Sequence, residues 1–404
     1  MSTNKHWIKA RHKILTVITR PFFRLYAKLR YNAKLDEFKE QGNRNWIILA
    51  NHQTDFDQFF VAASMKPPVY YVAMDDVFSN GFVSRLIEWC VAPIPILKAT
   101  QDLKAVKTCI RVAKEGGSIA LFPEGNRTYS GKQCYIKPSV AGLVQKLGLP
   151  IAIYRIEGGY GVKPRWADNI RKGNMTAGVR RIIEPEEYKD MSKEELYDLI
   201  CKELDVNEVH SGRRYESNNL AEGLERVFYV CPDCGLSEFE TSGNHIKCKH
   251  CGKTFKYLPN MHLEALDGNN PFDTVTDWYD YQESFIRKYD LSKSIDKPLY
   301  HEFADLYNVN VCVNRKLIQK SAQLEIFGDR IEIKTGNELL VLNYDDVKAM
   351  ACINDHKLNI FHKDKVYQIK GDKSFNALKY CNIYYHDKFE KEEHLDGEFQ
   401  FLGL

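Results

Sequence analysis

The sequence lacks several features that would place it in a simple structural class. No stretch approaches the roughly 18 to 20 consecutive apolar residues that a membrane-spanning helix requires. The N-terminal segment has no apolar run of the secretory signal type, and the chain has no internal repeat or low-complexity tract. These absences disfavour integral membrane, secreted and repeat proteins, and we expect any membrane contact to be at the surface.

Acidic residues are absent from the first 34 positions, although the whole chain has a net charge of only +3. That segment contains nine basic residues: Lys5, Lys9, Arg11, Lys13, Arg20, Arg24, Lys28, Arg30 and Lys34. On a helical wheel most of them oppose an apolar side formed by Ile14, Leu15, Ile18, Phe22, Leu25, Tyr26 and Leu29. Pro21 is expected to kink this helix or to start a second one. Residues 1–38 are therefore predicted to be amphipathic helices at a membrane interface, the alternative being a helix packed on its own domain with a solvated basic face.

The eleven cysteines are odd in number and do not form the pattern of a disulfide framework, which favours a reducing compartment. Four of them form two Cys-x-x-Cys-Gly pairs: Cys231 with Cys234, and Cys248 with Cys251. This spacing predicts a small structural Zn²⁺ ribbon over residues 226–258, and the alternatives are iron or reduced thiols without a metal. Four thiolates leave no open position for a substrate, and the mixed local charge disfavours nucleic acid as a partner.

Residues 39–205 alternate apolar β-type runs with helical patterns, which predicts an α/β core. The predicted strands are Trp46–Ala50, Val69–Ala73, Ile94–Leu97, Ser118–Phe122, Ile151–Ile156 and Gly178–Ile183. The predicted helices lie near 57–65, 80–90, 101–115 and 138–147. Active sites of such sheets lie in the loops that follow the strands.

Asn51 and His52 come directly after the first of these core strands, and Asp57 follows five residues after the histidine. This spacing lets the carboxylate bond one imidazole nitrogen and leaves the other nitrogen to act as a general base. A structural histidine is the alternative, and Asp55 is a second candidate for the carboxylate partner.

A second loop, Phe122-Pro-Glu-Gly-Asn-Arg-Thr128, follows another core strand. Its Gly125 favours a turn, while Glu124 and Arg127 suit the binding of a phosphate or a hydroxyl group. The alternative is an ordinary turn with a surface ion pair.

The order of these two motifs resembles the glycerolipid acyltransferase family, which includes lysophosphatidic acid acyltransferases. Val91–Lys98 and Leu149–Ile153 resemble two further blocks of that family, so the resemblance covers residues 20 to 205. It implies that His52 and Asp57 are catalytic and that Glu124, Gly125, Arg127, Lys98 and Asn51 bind substrate. Three positions depart from the family pattern: Asn126 for Thr or Ser, Lys98 for Arg, and Ala92 for Gly.

The C-terminal region begins with a predicted linker and helix over 259–300 and ends with a tail over 391–404. Between them, short β-type runs followed by a helix predict a β-rich domain over 301–390 that resembles a pleckstrin-homology or GRAM module. Its predicted role is lipid-headgroup or partner binding, and the alternative is a small packing domain.

The resemblance implies transfer of a fatty acyl group from acyl-CoA or acyl-carrier protein to 1-acylglycerol 3-phosphate, with phosphatidic acid as the product. The expected partners are these substrates and anionic lipids at the inner face of the cell membrane. Two alternatives stay open: another lysolipid acceptor, and a non-catalytic scaffold that binds lipid at the membrane.

Overall fold

The structure, a computed structural model, describes residues 6–78, 81–96, 103–310, 314–336 and 338–391. The chain forms two compact units. The N-terminal unit runs to Pro164 and includes Ile170–Tyr215, whereas the C-terminal unit contains Arg165–Asn169 and continues from Glu216. This division is coarser than the six predicted segments. Among the described helices, none is both long enough and apolar enough to cross a bilayer.

A seven-stranded mixed sheet forms the centre of the N-terminal unit. Its strands are β1 (Ala33–Leu35), β2 (Ile47–Ala50), β3 (Val69–Met74), β4 (Ile94–Ile96), β5 (Ser118–Leu121), β6 (Ile151–Glu157) and β7 (Met175–Ile183). They lie in the order β1-β7-β6-β2-β5-β3-β4, and all pairs are parallel except β6 with β7. This sheet agrees with the predicted α/β core and adds β1, which the sequence pattern did not indicate.

The described residues of this unit form eight α-helices. They are α1 (Ala10–Tyr31), α2 (Asp57–Ser64), α3 (Phe82–Val91), α4 (Leu103–Lys114), α5 (Ser139–Leu147), α6 (Gly159–Val162), α7 (Pro185–Tyr188) and α8 (Lys193–Leu204). All four residues of strand β2 are fully buried, as expected for a parallel strand with neighbours on both edges. Strands β6, β2 and β5 are parallel neighbours, so the loops that follow them lie side by side at one edge of the sheet.

Helix α1 continues through Pro21 without ending, and it presents its apolar side outward. Three of its arginines bond main-chain carbonyls of the same unit: Arg11 bonds Trp89, and Arg20 and Arg24 both bond Ala63. The apolar residues Ile14, Ile18, Phe22, Leu25 and Leu29 are each more than half exposed. This orientation is the reverse of a helix that packs its apolar side on its own domain, so that alternative is wrong.

The C-terminal unit is mainly β-structure. Its strands are β8 (Val230–Cys231), β9 (Gly235–Leu236), β10 (Phe239–Ser242), β11 (His245–Cys248), β12 (Thr254–Tyr257), β13 (Leu263–Ala265), β14 (Tyr300–Asn310), β15 (Asn314–Ile326), β16 (Arg330–Thr335), β17 (Glu338–Asn343), β18 (Val347–Ile353), β19 (Lys357–His362) and β20 (Lys365–Lys370). Helix α9 (Val275–Arg287) precedes β14, and α10 (Ala377–Lys391) follows β20. Strands β14 to β20 form one antiparallel sheet in the order β17-β16-β15-β14-β20-β19-β18. This agrees with a β-rich domain followed by a helix, and the pleckstrin-homology or GRAM identity stays a prediction.

Candidate active site

His52 and Asp57 meet on the loop that joins β2 to α2. His52 lies two residues beyond the end of β2, and Asp57 is the first residue of α2. The imidazole Nδ1 is 2.8 Å from Asp57 Oδ2. Asp57 is fully buried, whereas about a fifth (21%) of the His52 side chain is exposed. The pair therefore combines a sheltered carboxylate with an imidazole that a substrate can reach.

Four hydrogen bonds converge on the Asp57 carboxylate. Oδ2 accepts from His52 Nδ1 and from the main-chain N–H groups of Gln53 and Thr54, at 2.8, 2.6 and 2.9 Å. Oδ1 accepts from the Thr54 hydroxyl at 2.6 Å. Because Oδ2 already accepts from two main-chain N–H groups, it acts as an acceptor towards His52 as well, so the proton of this contact belongs to Nδ1. Nε2 then has a lone pair and can accept a proton from a hydroxyl group.

The neighbouring strand β6 supports the histidine loop from one side. Both polar atoms of the Asn51 amide bond the main chain of Ile156, at 2.9 and 2.7 Å. The Gln53 side-chain oxygen accepts from the Tyr160 N–H at 2.9 Å. Asn51 therefore holds the loop against β6, and its contact with a substrate stays a prediction.

Glu124 supports the same loop from the β5 side. Its Oε1 accepts from the His52 N–H and its Oε2 from the Cys134 N–H, both at 2.8 Å, and the side chain is buried. Burial raises the pKa of this carboxyl to about 7, although these two N–H groups favour its charged form. In the structure the two oxygens of Glu124 position the backbone of the histidine loop, and its contact with a substrate stays a prediction.

The loop that contains Arg127 also reaches the histidine loop. The Thr128 N–H bonds the His52 carbonyl at 3.3 Å, and the Phe122 ring lies 4.6 Å from the imidazole centroid. Gly125 closes a turn by bonding the Phe122 carbonyl, with a φ of +71° that strongly favours glycine. Arg127 is half-buried in this loop, one residue from Thr128. The two sequence motifs are therefore adjacent in space.

The comparisons with known proteins agree with this geometry. An acyltransferase family model matches residues 30–156, which include His52, Asp57 and the Arg127 loop. These residues are an acyltransferase domain. The 1-acyl-sn-glycerol-3-phosphate acyltransferase BAT2 of Brassica napus is 24% identical over 39% of this chain and 43% of its own length. The 1-acyl-sn-glycerol-3-phosphate acyltransferase of Streptococcus pneumoniae is 31% identical over 21% of this chain and 33% of its own length. The chain therefore spans less than half the length of either relative.

One solved structure, the 1-acyl-sn-glycerophosphate acyltransferase PlsC from Thermotoga maritima, also resembles the chain. It covers 48% of this chain and 79% of its own chain, with 17% sequence identity and a TM-score of 0.40.

Two further predictions concern Asp55 and Lys98. Asp55, the other candidate partner of His52, is exposed and accepts a 2.8 Å hydrogen bond from the Tyr31 hydroxyl. Asp57 is therefore the partner. Lys98, predicted to bind substrate, lies outside the described residues.

The sequence pattern did not indicate that Thr54 and Gln53 support the catalytic pair. A hydroxyl residue three positions before Asp57, at the start of a helix, is a recognisable signal for Thr54. No local signal identifies Gln53, because its partner Tyr160 lies more than 100 positions away in the sequence.

A second candidate site lies in the C-terminal unit, beyond the acyltransferase domain. The Sγ atoms of Cys231, Cys234, Cys248 and Cys251 all lie within 4.8 Å of one another. Cys231 and Cys251 are 3.5 Å apart, and Cys234 and Cys248 are 3.6 Å apart. Tetrahedral Zn–S bonds of about 2.3 Å require sulfur–sulfur separations of roughly 3.8 Å. The four predicted ligands are therefore together, and their geometry suits a metal ion.

Proposed function

We propose that this protein transfers a fatty acyl group from acyl-CoA or acyl-carrier protein to the free hydroxyl of 1-acylglycerol 3-phosphate, giving phosphatidic acid. The 2.8 Å contact between His52 Nδ1 and Asp57 Oδ2, within an acyltransferase domain, carries the proposal. The names of the Brassica and Streptococcus relatives support this acceptor.

In the proposed reaction His52 is the general base. As the acceptor oxygen attacks the thioester carbonyl, Nε2 takes the hydroxyl proton and a new C–O bond forms. Collapse of the tetrahedral intermediate breaks the C–S bond, and His52 returns the proton to the thiolate that leaves. The buried Asp57 carboxylate stabilises the imidazolium between these two steps.

Arg127 is proposed to bind the phosphate of the acceptor. Its planar guanidinium can donate two parallel hydrogen bonds to phosphate oxygens, and its loop contacts the histidine loop through Thr128. Lys98 is proposed to add positive charge at the phosphate, on the basis of its place in the sequence block alone.

The test is a panel of acceptors presented with one labelled acyl-CoA. Lysophosphatidic acid should be the best acceptor, and His52→Ala should abolish its acylation while the fold is retained. A clear preference for lysophosphatidylcholine would replace the proposed acceptor with another lysolipid. If His52→Ala transfers acyl groups as fast as wild type, or if no acceptor reacts, the catalytic proposal is wrong and a lipid-binding scaffold is the better description.

We further propose that the four clustered cysteines hold a structural Zn²⁺. Four thiolates in tetrahedral reach suit zinc, and such sites contribute roughly 10 to 16 kcal/mol of binding free energy near pH 7. Metal binding would add to the stability that these short strands gain from buried side chains such as Phe239, Ile246 and Phe255.

We also propose that the enzyme binds the inner face of the cell membrane through α1 and α3. The exposed apolar side of α1 is supplemented by exposed residues of α3, namely Phe82, Val83, Leu86 and Trp89. Arg11 links the two helices by donating to the Trp89 carbonyl at 2.8 Å. The basic residues Lys13, Lys28 and Arg30 are also exposed on α1, which favours a surface with anionic lipids.

A further inference from the structure

A second buried carboxyl group, Glu208, lies beside the histidine loop and takes no part in the chemistry described above. It follows helix α8 and is fully buried. Its Oε1 accepts from the Gly158 N–H at 2.6 Å. Its Oε2 has no hydrogen-bond partner among the described residues, and the nearest cation is the Arg213 guanidinium at 3.9 Å. Such a burial is costly, so a functional reason for the group is expected.

The contacts of Glu208 lead to His52 through Gln53, whose side chain lies beside the Glu208 carboxyl and favours its charged form. Gly158 begins the turn that presents the Tyr160 N–H to the Gln53 side chain, at 2.9 Å. The Gln53 main-chain N–H in turn bonds Asp57 at 2.6 Å. Glycine at 159 permits this approach, since a Cβ there would lie 2.9 Å from Gln53 Oε1. Glu208 therefore holds the turn against which the histidine loop is fixed.

We propose that Glu208 is a positioning residue for the His52–Asp57 pair, acting through the 158–160 turn and Gln53. Burial, opposed by the Gly158 N–H, Arg213 and the Gln53 side chain, raises the pKa of this carboxyl to about 7. Both protonation states are therefore populated near neutral pH, and either can accept from Gly158 through one oxygen. The proposal deepens the proposed function and rests on it for its kinetic consequence.

The experiment compares Glu208→Ala with Glu208→Gln. Alanine leaves the buried Gly158 N–H without an acceptor, so we expect about tenfold lower kcat with KM for both substrates within twofold. Glutamine keeps one acceptor oxygen, so we expect it to restore at least half of the wild-type kcat. Hydrogen–deuterium exchange of residues 51–57 should be about tenfold faster in the alanine variant and near wild type in the glutamine variant.

Gln41→Ala is the matched control. Gln41 is also buried in the N-terminal unit, and its side chain bonds the Lys66 main chain at 2.9 and 2.5 Å, before strand β3 and away from His52. It should lower stability without changing kcat or the exchange of residues 51–57.

The positioning role is overturned if the hydrogen–deuterium exchange of residues 51–57 is unchanged in Glu208→Ala. It is also overturned if Gln41→Ala accelerates this exchange equally. The exchange measurement needs no turnover, so a wild-type protein without transferase activity would refute the proposed function while still deciding the role of Glu208.

Discussion

Replacing Asp57 with asparagine tests the charge of the catalytic pair with little change in its shape. An asparagine oxygen in the Oδ2 position keeps the bonds from the Gln53 and Thr54 N–H groups and from His52 Nδ1. The side-chain NH2 then faces the Thr54 hydroxyl, which can accept instead of donate. The loop should therefore keep its conformation and lose only the negative charge.

The size of the effect follows from the distance between the charges. Unit charges about 4 Å apart attract by about 4 kcal/mol at an effective dielectric constant near 20. The imidazole carries part of a full charge in the transition state, so about 3 to 4 kcal/mol is lost. Each 1.36 kcal/mol is tenfold in rate, and we expect kcat to fall by about 10² to 10³.

The assay measures the initial rate of transfer from labelled acyl-CoA to lysophosphatidic acid, with KM determined for both. Asp55→Asn is the matched control, because Asp55 lies two residues away and bonds Tyr31 rather than His52. Its kcat should stay within about threefold of wild type. If Asp57→Asn also stays within threefold, or if both variants lose the same activity, the inference that Asp57 orients and stabilises His52 is refuted.

Three further predictions concern other parts of the chain. Because the pKa of Glu208 is raised to about 7, the folded state keeps a proton that the unfolded state loses as pH rises. The free energy of unfolding should therefore fall between about pH 5.5 and 7.5, and urea unfolding of Glu208→Gln should show a fall that is smaller by about 2 kcal/mol. Cys251→Ser should remove one bound zinc by elemental analysis and lower the Tm, and an unchanged Tm in metal-free protein would contradict a structural metal. The double change Phe22→Ser and Leu29→Ser should weaken binding to anionic vesicles at least tenfold in a sedimentation assay. The change Phe303→Ser, at another exposed position, should leave this binding unchanged.

Most helices and strands were predictable from local patterns of apolar and polar residues in the sequence. Strand β2 was predicted because four apolar residues in a row suit a strand covered on both faces. Strand β14 was missed because polar residues interrupt its alternation, and it is stabilised by long-range pairing with β15 and β20. Helix α8 was also missed, although Ser192 and Glu195 form a capping box that is visible in the sequence.

In the candidate active site, too, contacts between residues close in sequence were predictable and contacts between distant residues were not. His52 and Asp57 are five residues apart, so one turn at the start of a helix brings them together and the pair was predictable. Asn51, Gln53 and Glu124 have their partners on segments that are distant in sequence. Their supporting roles were therefore not visible as patterns.

The sequence by itself determined the chemical groups of the chain: the imidazole–carboxylate pair, the arginine loop, the two Cys-x-x-Cys pairs and the α/β alternation. Tertiary structure decided which polar groups hold the histidine loop and which side of α1 is exposed. The physical reason is that spacing along the chain sets only local geometry. The order of β6, β2 and β5 in the sheet places Ile156, Tyr160 and Glu124 around His52, and that order depends on the packing of the whole unit.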